Sequence, residues 1–464
     1  MPPPPCSHRP ATRYFFYAWL TNLCLFPWAF CKLFPTTYWR EFFGKLCLAP
    51  IIIVAGGTTE TKLGQWTTNK KLIGVLSYMH GGHGLTPSRA SFVAQAVATH
   101  HMKGGAWYPI GGPVSIVMAA CEVIRKNGGL VLTNSEVTRL LFDDEHDVGK
   151  HAIKIRSGKC WGVVVNGHEM YAPRVISDVG IRNTFLKLVP ERHRHRLGPI
   201  VKRLKHFDGI AIGTESYVLE KSKDGSFDVS DAKEAKEDGY NVVQLKKFGV
   251  GPSTCTVELH AGFHEGMEEL GLGAENRWVF PSWDHDENHK RFKKKFTNDI
   301  SSCFITCCKK DESWDKRWPG RSAVKVVCAV EYEWFADYQN LKAEDRPFEY
   351  QKFKDMWGER LVKILEGQYP QLKGKVKTWS VHSPLDRNDR FGVARGEVGG
   401  VEHTVERYLK YHAEFSPRTD IDGLWLTGKD VSCGVGVAAS VWGGMLCVFS
   451  ISKQRMMEFA LACF

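Results

Sequence analysis

Apolar positions recur at helical spacing over 88–102 (SRASFVAQAVATHHM) and again over Val114–Lys126 (VSIVMAACEVIRK). The second run stops at Asn127-Gly128-Gly129, a helix-ending signal. Between the two, KGGAWYPIGGP carries four glycines and two prolines and breaks the pattern. A short strand is expected at 130–133 (LVLT), then a β excursion through VTRLLFDD and CWGVVVN, then a return strand at 174–180 (RVISDVG). Helix, strand, excursion and return strand make α/β organisation. From about 205 to 405 charged helices (230–237 and Phe348–Gln368) alternate with TCTVELH and AVKVVCAVEYEWF. The β-branched content of these two runs suits an antiparallel sheet. Residues 221–239 are charged and glycine-punctuated, as a surface insertion would be.

The near-continuous apolar run 48–57 (LAPIIIVAGG) reads as a buried parallel strand entering a dinucleotide-binding turn. The turn chemistry then fails. Thr58, Thr59, Glu60 and Thr61 follow, so no G-x-G-x-x-G forms, and residues 61–121 contain no Asp or Glu to hold a ribose. Nucleotide binding by this segment is therefore not expected.

Residues 14–31 (YFFYAWLTNLCLFPWAFC) carry no charge and sit between Arg13 and Lys32. A spanning helix needs about 20 residues, but Asn22, Pro27 and eight aromatic residues favour an element lying in the headgroup boundary. A buried helix is the plain alternative; membrane association is the expectation. Lys and Arg exceed Asp and Glu by 62 to 51, a net charge of +11, densest over 192–206 (RHRHRLGPIVKRLKH). Apolar residues fall at helical spacing there and no RNP, zinc-finger or helix-turn-helix signature accompanies them. A solvated helix face is expected, with lipid headgroups second and no nucleic-acid partner. Fourteen cysteines are scattered; the one cluster, Cys303, Cys307 and Cys308, lacks a C-x2-C knuckle and a nearby His, so reduced thiols and no metal are expected.

The most informative stretch is 422–452 (DGLWLTGKDVSCGVGVAASVWGGMLCVFSIS). An apolar strand ends in Gly428, Asp430 follows, and a glycine-rich turn enters a helix of small apolar residues. A helix N-terminus at a strand's carboxyl end offers free amides to an anion. The Asp is a fixed acceptor suited to a ribityl or ribose hydroxyl; a glycine-rich helix packed tightly on a sheet would read similarly.

At this point the chain resembles the flavin-dependent phytoene desaturase, carotenoid isomerase and retinol saturase family, nearest the all-trans-retinol 13,14-reductases. The resemblance is carried by 78–92 (YMHGGHGLTPSRASF), 104–112 (GGAWYPIGG), 128–137 (GGLVLTNSEV), 175–180 (VISDVG), 268–278 (EELGLGAENRW), 383–397 (SPLDRNDRFGVARGE) and 424–444. It implies an enzyme of the amine-oxidase type: α/β and α+β, with an incomplete Rossmann-like FAD-binding domain from discontinuous segments and a mixed or antiparallel-sheet substrate domain with helices. It implies hydride transfer to or from a conjugated isoprenoid, a retinoid or carotenoid, with FAD as cofactor and NAD(P)H as external reductant. Carried over by position, the flavin contacts are Gly111, Gly112, Val137, Gly428, Asp430, Val431, Gly434 and Gly436. Implied partners are an apolar polyene and a membrane surface, in the endoplasmic reticulum or a plastid.

The chain departs from the family pattern in four places. The N-terminal dinucleotide fingerprint is absent, Ile110 stands where an Arg is usual, Lys429 replaces a Gln, and the turn after Asp430 is about one residue long, so Gly434 and Gly436 compete for one role. The first departure leaves open a flavin-deficient, truncated or degenerate paralogue that binds apolar lipid without catalysis. For proton transfer to a polyene, His100 and His101 precede the glycine-rich loop, and His80 and His83 flank a glycine pair. Ordinary loop hydrogen bonds are the plain reading of all four. Glu397 and Asp386 are acidic candidates, with salt bridges to Arg395 or Arg390 as the alternative. The expected layout is a membrane-associated segment at 1–35, a helical substrate-side segment at 36–99, flavin-side parts at 100–190 and 405–464, and a substrate domain at 191–404 with the insertion at 219–250.

Overall fold

The computed structural model describes residues 9–144, 158–206, 251–294, 300–308, 311–432, 434–452 and 454–458. The insertion at 219–250 and the helix at 230–237 lie outside the described residues. Ten strands are described: β1 (Val137–Phe142), β2 (Cys160–Val165), β3 (His168–Tyr171), β4 (Val175–Ser177), β5 (Cys255–Phe263), β6 (Arg277–Val279), β7 (Cys303–Cys307), β8 (Ser322–Val330), β9 (Thr378–His382) and β10 (Leu424–Leu426). They form a mixed helix-and-sheet fold: antiparallel β1-β2-β3, a parallel pair of β4 and β10, and a five-stranded antiparallel sheet ordered β6-β7-β8-β5-β9.

Side chains in a strand alternate between faces, and β8 obeys this along its whole length. Val324, Val326, Cys328 and Val330 are buried while Ala323, Lys325, Val327 and Ala329 are half-buried on the other face. The buried face joins Trp357, Leu361 and Leu365 of the helix Phe348–Gln368 in the largest core. A second core combines β1, β2 and the 181–204 helices with Val401, Tyr411, Phe415, Leu424, Leu426 and Val431. A third packs the N-terminal helices Arg9–Cys31 and Thr37–Ala55 against Phe92–His101, Tyr408 and Leu446.

Two expected strands do not form. The run 48–57 is the end of the helix Thr37–Ala55, capped at Thr36, with Leu48, Ile51, Val54 and Ala55 buried and Ile52 and Ile53 exposed. Its apolar residues satisfy an i, i+3, i+7 face against a neighbouring helix, and an Ile/Val run with no ladder partner gains nothing as a strand. Residues 130–133 are likewise without a ladder, and Leu130 and Leu132 are exposed. The helix Val114–Lys126 forms as expected, yet none of its residues is buried. The basic stretch forms the turns and helix 191–206, burying Leu197, Ile200, Val201 and Leu204; Arg192, Lys202 and Lys205 are exposed, while Arg194, Arg196 and Arg203 are half-buried and bonded to the protein.

The segment 14–31 lies within Arg9–Cys31, which buries Tyr14, Ala18, Leu25 and Trp28 and exposes Phe15, Phe16, Trp19 and Leu23. No helix among the described residues is long and apolar enough to cross a membrane.

Candidate functional site

A cavity of about 430 Å³ lies on the half-buried face of the five-stranded sheet. Val327 and Ala329 of β8, Phe304 of β7 and Trp278 of β6 form one wall. Phe304 pairs directly with Val327 across the ladder, and its ring lies 4.7 Å from that of Trp278. A second wall, in contact with Trp278, is the one-turn helix His80–His83, closed by Gly84 in a left-handed conformation. The turns around Val398–Gly399 and Val435–Gly436 border the rest.

The polar groups around this mostly apolar space are tied to one another. Arg89 pairs with Glu402 at 2.8 Å, Glu331 with His289 at 3.4 Å and Lys293 at 3.5 Å, and Arg395 with Glu333. Burial raises the Glu331 carboxyl above its ordinary range, an effect Lys293 opposes. Burial lowers His289 to about 4, with Lys293 and Arg89 pushing the same way, and burial alone is the main reason His83 also falls to about 4. His80 lies well below the ordinary histidine value because it is buried and because His285 and His83 stand near it. Its ring centroid is 4.3 Å from that of His285. Among the described residues no three His, Cys, Asp or Glu are placed to hold a metal ion.

The C-terminal elbow meets this cavity at one end only. Gly428 has φ +80°, and a β-carbon there would overlap the Asp178 carboxylate; the backbone of Gly428 in turn leaves no room for a side chain at Gly443. Asp430 does not face outward as an acceptor for a ligand hydroxyl. Its Oδ2 accepts the Ile181 amide at 2.8 Å, its Oδ1 accepts the Val401 amide at 3.0 Å, and Arg407 binds the Lys429 and Asp430 carbonyls. The acceptor expected for a ribityl or ribose hydroxyl is therefore buried, with each of its oxygens already bonded to a backbone amide of the chain itself. Val431 is a core residue and Gly434 lies beside Val97. Gly436, at φ +90° with open space where a side chain would be, caps the exposed first turn of Val437–Ile451 and borders the cavity. Of the two competing glycines, Gly436 is the one at the cavity.

The other expected site residues are dispersed. Gly111 donates its amide to Asp311 Oδ1 at 3.0 Å, Gly112 adjoins the same carboxylate, and Val137 sits in the β1–β2 ladder. His100 and His101 end the helix Phe92–His101, half-buried and exposed, and neither lines the cavity. Glu397 is buried and bonded to Lys429 Nζ at 3.0 Å and to the Gly400 amide, so its salt bridge is with Lys429 and not with the alternatives Arg395 or Arg390. Asp386 closes a capping box with Ser383 and binds Lys354. The cavity residues that went unassigned are His285, His289 and Glu331. The i, i+4 histidines of HDENH at 285–289 were the available signal, since that spacing shares a helix face.

No family model matches the chain. An all-trans-retinol 13,14-reductase of Danio rerio is 27% identical over 401 residues, 84% of this chain and 57% of its own length. One of Rattus norvegicus is 28% identical over 435 residues, covering 91% and 62%. The chain resembles all-trans-retinol 13,14-reductases along most of its length. It spans about three-fifths of those relatives. A protein named inactive all-trans-retinol 13,14-reductase, also of Danio rerio, is 24% identical over 414 residues, covering 88% and 59%. A solved oxidoreductase from Methanosarcina mazei aligns with a TM-score of 0.47 and 14% identity, covering 87% of this chain and 72% of its own.

Measured against a flavin dinucleotide, the residues fit one end. The bare backbone at Gly436, the free first turn behind it and the apolar wall beside it suit the ring and ribityl portion. The adenosine diphosphate portion has no matching donor set among the described residues. The run 48–57 is helical, the Gly111 amide is taken by Asp311, and the Asp430 carboxylate is taken by two amides.

Proposed function

We propose that this chain is a flavin-dependent oxidoreductase acting on a conjugated isoprenoid, a retinoid or carotenoid, as the names of its relatives suggest. The observation that carries the reading is that one cavity runs from aromatic walls at Trp278 and Phe304 to the bare turn at Gly436. When bound, the flavin supplies hydride exchange with the polyene, with NAD(P)H as external reductant. The chain's own residues hold the polyene extended against flat aromatic faces and exclude water from it. The paired ions Glu331–Lys293, Arg89–Glu402 and Glu397–Lys429 keep the rim rigid without adding net charge.

Shared cores support a matching division of labour. The core that joins 140–189 to 411–431 favours flavin-side parts at 100–190 and 405–464, and the sheet core favours a substrate domain in 191–404, although 197–204 and Val401 of that segment pack into the flavin-side core. Segment 36–99 supplies the helical wall that carries His80 and His83. The outward aromatic faces of Arg9–Cys31 and Thr37–Ala55, with Phe15, Phe16, Trp19, Tyr38, Trp39 and Phe42 exposed, would rest in a headgroup layer of endoplasmic reticulum or plastid. Flotation of the purified protein with anionic vesicles tests this, and failure to float contradicts it.

A second reading has its own support: the committed Asp430 carboxylate and the unmatched adenosine diphosphate end favour a lipid-binding paralogue without redox chemistry. Visible absorption of the purified protein separates the two. A flavin spectrum after reconstitution and polyene reduction supports the first; a colourless protein that retains polyene supports the second and removes the first.

A further inference from the structure

The N-terminal helices Arg9–Cys31 and Thr37–Ala55 are joined by a turn at 32–36 and share the third core. Three contacts fix that turn. Phe34 stacks on Phe43 at a centroid distance of 4.4 Å, Arg40 donates to the Phe34 carbonyl at 3.2 Å, and Lys32 Nζ holds the Phe415 and Val431 carbonyls at 2.8 and 3.0 Å. Across the hairpin the Cys31 thiol donates to Cys47 Sγ, with the two sulfurs 3.3 Å apart. A disulfide needs about 2 Å, so closing one asks for about an ångström of approach from side chains whose backbones are already held. The two thiols are unequal. Cys31 is buried, and burial together with the neighbouring sulfur pushes it up to about 12, so it keeps its proton. Cys47 is half-buried, accepts the Cys31 hydrogen bond, and is the sulfur open to an incoming reagent. Cys303 and Cys328 also stand opposite each other, on β7 and β8, but both are buried in the sheet core.

We propose that Cys47 and Cys31 form a thiol–disulfide exchange site, at which Cys47 reacts with a small disulfide of the glutathione type and Cys31 resolves the product into a bond between the two helices. The proposal depends on neither the flavin nor the polyene reading. In the first step the Cys47 thiolate attacks one sulfur of glutathione disulfide, the S–S bond of the reagent breaks, and one glutathione thiolate leaves. In the second step Cys31 Sγ attacks Cys47 Sγ, the mixed disulfide breaks, and the second glutathione leaves. The protons given up by Cys47 and Cys31 end on the two departing thiolates. Two protein thiols are thereby oxidised and one glutathione disulfide is reduced to two glutathiones. The bond joins residues 16 apart in sequence and encloses the Lys32 anchor, so it removes conformations from the unfolded chain while asking little of the folded one.

The test treats the reduced full chain with glutathione disulfide, blocks remaining thiols with iodoacetamide, digests without reductant and maps the peptides by mass spectrometry. In the wild-type chain a peptide linking Cys31 to Cys47 is expected, with fragment spectra separating Cys31 from Cys24, which shares its tryptic peptide. Cys31→Ser should accumulate a stable glutathione adduct on Cys47, because the resolving thiol is gone. Cys47→Ser should leave Cys31 unmodified. The linked wild-type chain should melt a few degrees above the reduced one, a difference that both variants lose. Recovery of Cys31 and Cys47 as free thiols in the wild-type chain overturns the proposal without recourse to any variant. So does a lasting Cys47 adduct there, which would mean that Cys31 fails to reach it, or a link from Cys47 to Cys24. An adduct on Cys31 in Cys47→Ser overturns the assigned order of attack, and a linked chain that melts no higher overturns the claim that the helices already stand in place for the bond.

Discussion

The indole of Trp278 occupies the space that a β-carbon on Gly81 would need. The HGGH turn and the edge strand of the sheet therefore meet through a glycine that has no freedom to be anything larger. Gly82, next in sequence, has open space at the same position. Gly81→Ala is expected to push Trp278 off the cavity wall, changing tryptophan emission and weakening polyene binding about tenfold, with a cost of about 1–3 kcal/mol in stability. Gly82→Ala is the control and should leave emission unchanged. Equal spectra for the two variants would contradict the packing described here.

Asp430 links two backbone segments that are remote in sequence, those of Ile181 and Val401. Removing the carboxylate leaves two buried amides without an acceptor. Asp430→Ala should lose about 2–4 kcal/mol of folding stability in urea denaturation of the flavin-free protein. Asp430→Asn, which retains one acceptor, should fall between. A variant that loses flavin while its denaturation midpoint is unchanged would restore the ligand-facing role that the geometry denies it.

Lys429 offsets a carboxylate that burial would otherwise penalise. Burial raises the Glu397 carboxyl above its ordinary range, and Lys429 acts against that rise. Lys429→Ala should destabilise by about 2 kcal/mol, and the double variant Lys429→Ala/Glu397→Gln should recover most of that loss. Additive losses in the double-mutant cycle would show the pair to be uncoupled.

Acid should unfold this protein early. His83 and His412 titrate near 4, and His80 and His403 lie well below the ordinary 6.5, all chiefly through burial. A folded value below the unfolded one means the unfolded chain binds more protons in the interval, so stability is complete above about pH 6.5 and is withdrawn as pH falls towards 4. Each such histidine withdraws about 1.4 kcal/mol per pH unit in that window. The raised carboxyls of Glu60, Asp178, Glu331 and Glu397 act in the opposite sense but are fewer than the seven histidines lowered among the described residues. Melting temperature should be level from pH 7 to 8 and drop steeply below 6.5. His83→Phe should flatten the drop, and an unchanged slope would refute the histidine origin.

The antiparallel sheet was legible because AVKVVCAV alternates and the alternation is what one buried face demands. The helices Val114–Lys126 and Phe348–Gln368 were legible for the same reason at a different period. The runs 48–57 and 130–133 misled because an apolar run says nothing about whether a ladder partner exists. The site was only half legible. HGGH and the glycine-rich elbow announce backbone that must come close to something, and the cavity lies where Gly436 and His80 were flagged. What Asp430 bonds to, and that Glu331 and His289 share the cavity, depend on contacts between segments remote in sequence that no local pattern encodes.

Among the described residues, the cavity suits the ring end of a flavin and no donor set matches its adenylate. The direct measurement is the affinity of the purified protein for FAD against FMN, by equilibrium dialysis at one salt concentration. Equal affinities within a factor of a few are predicted, since the adenylate adds no contact that these residues can make. A preference for FAD of about a hundredfold or more, the scale of two or more good hydrogen bonds to charged groups, would contradict it.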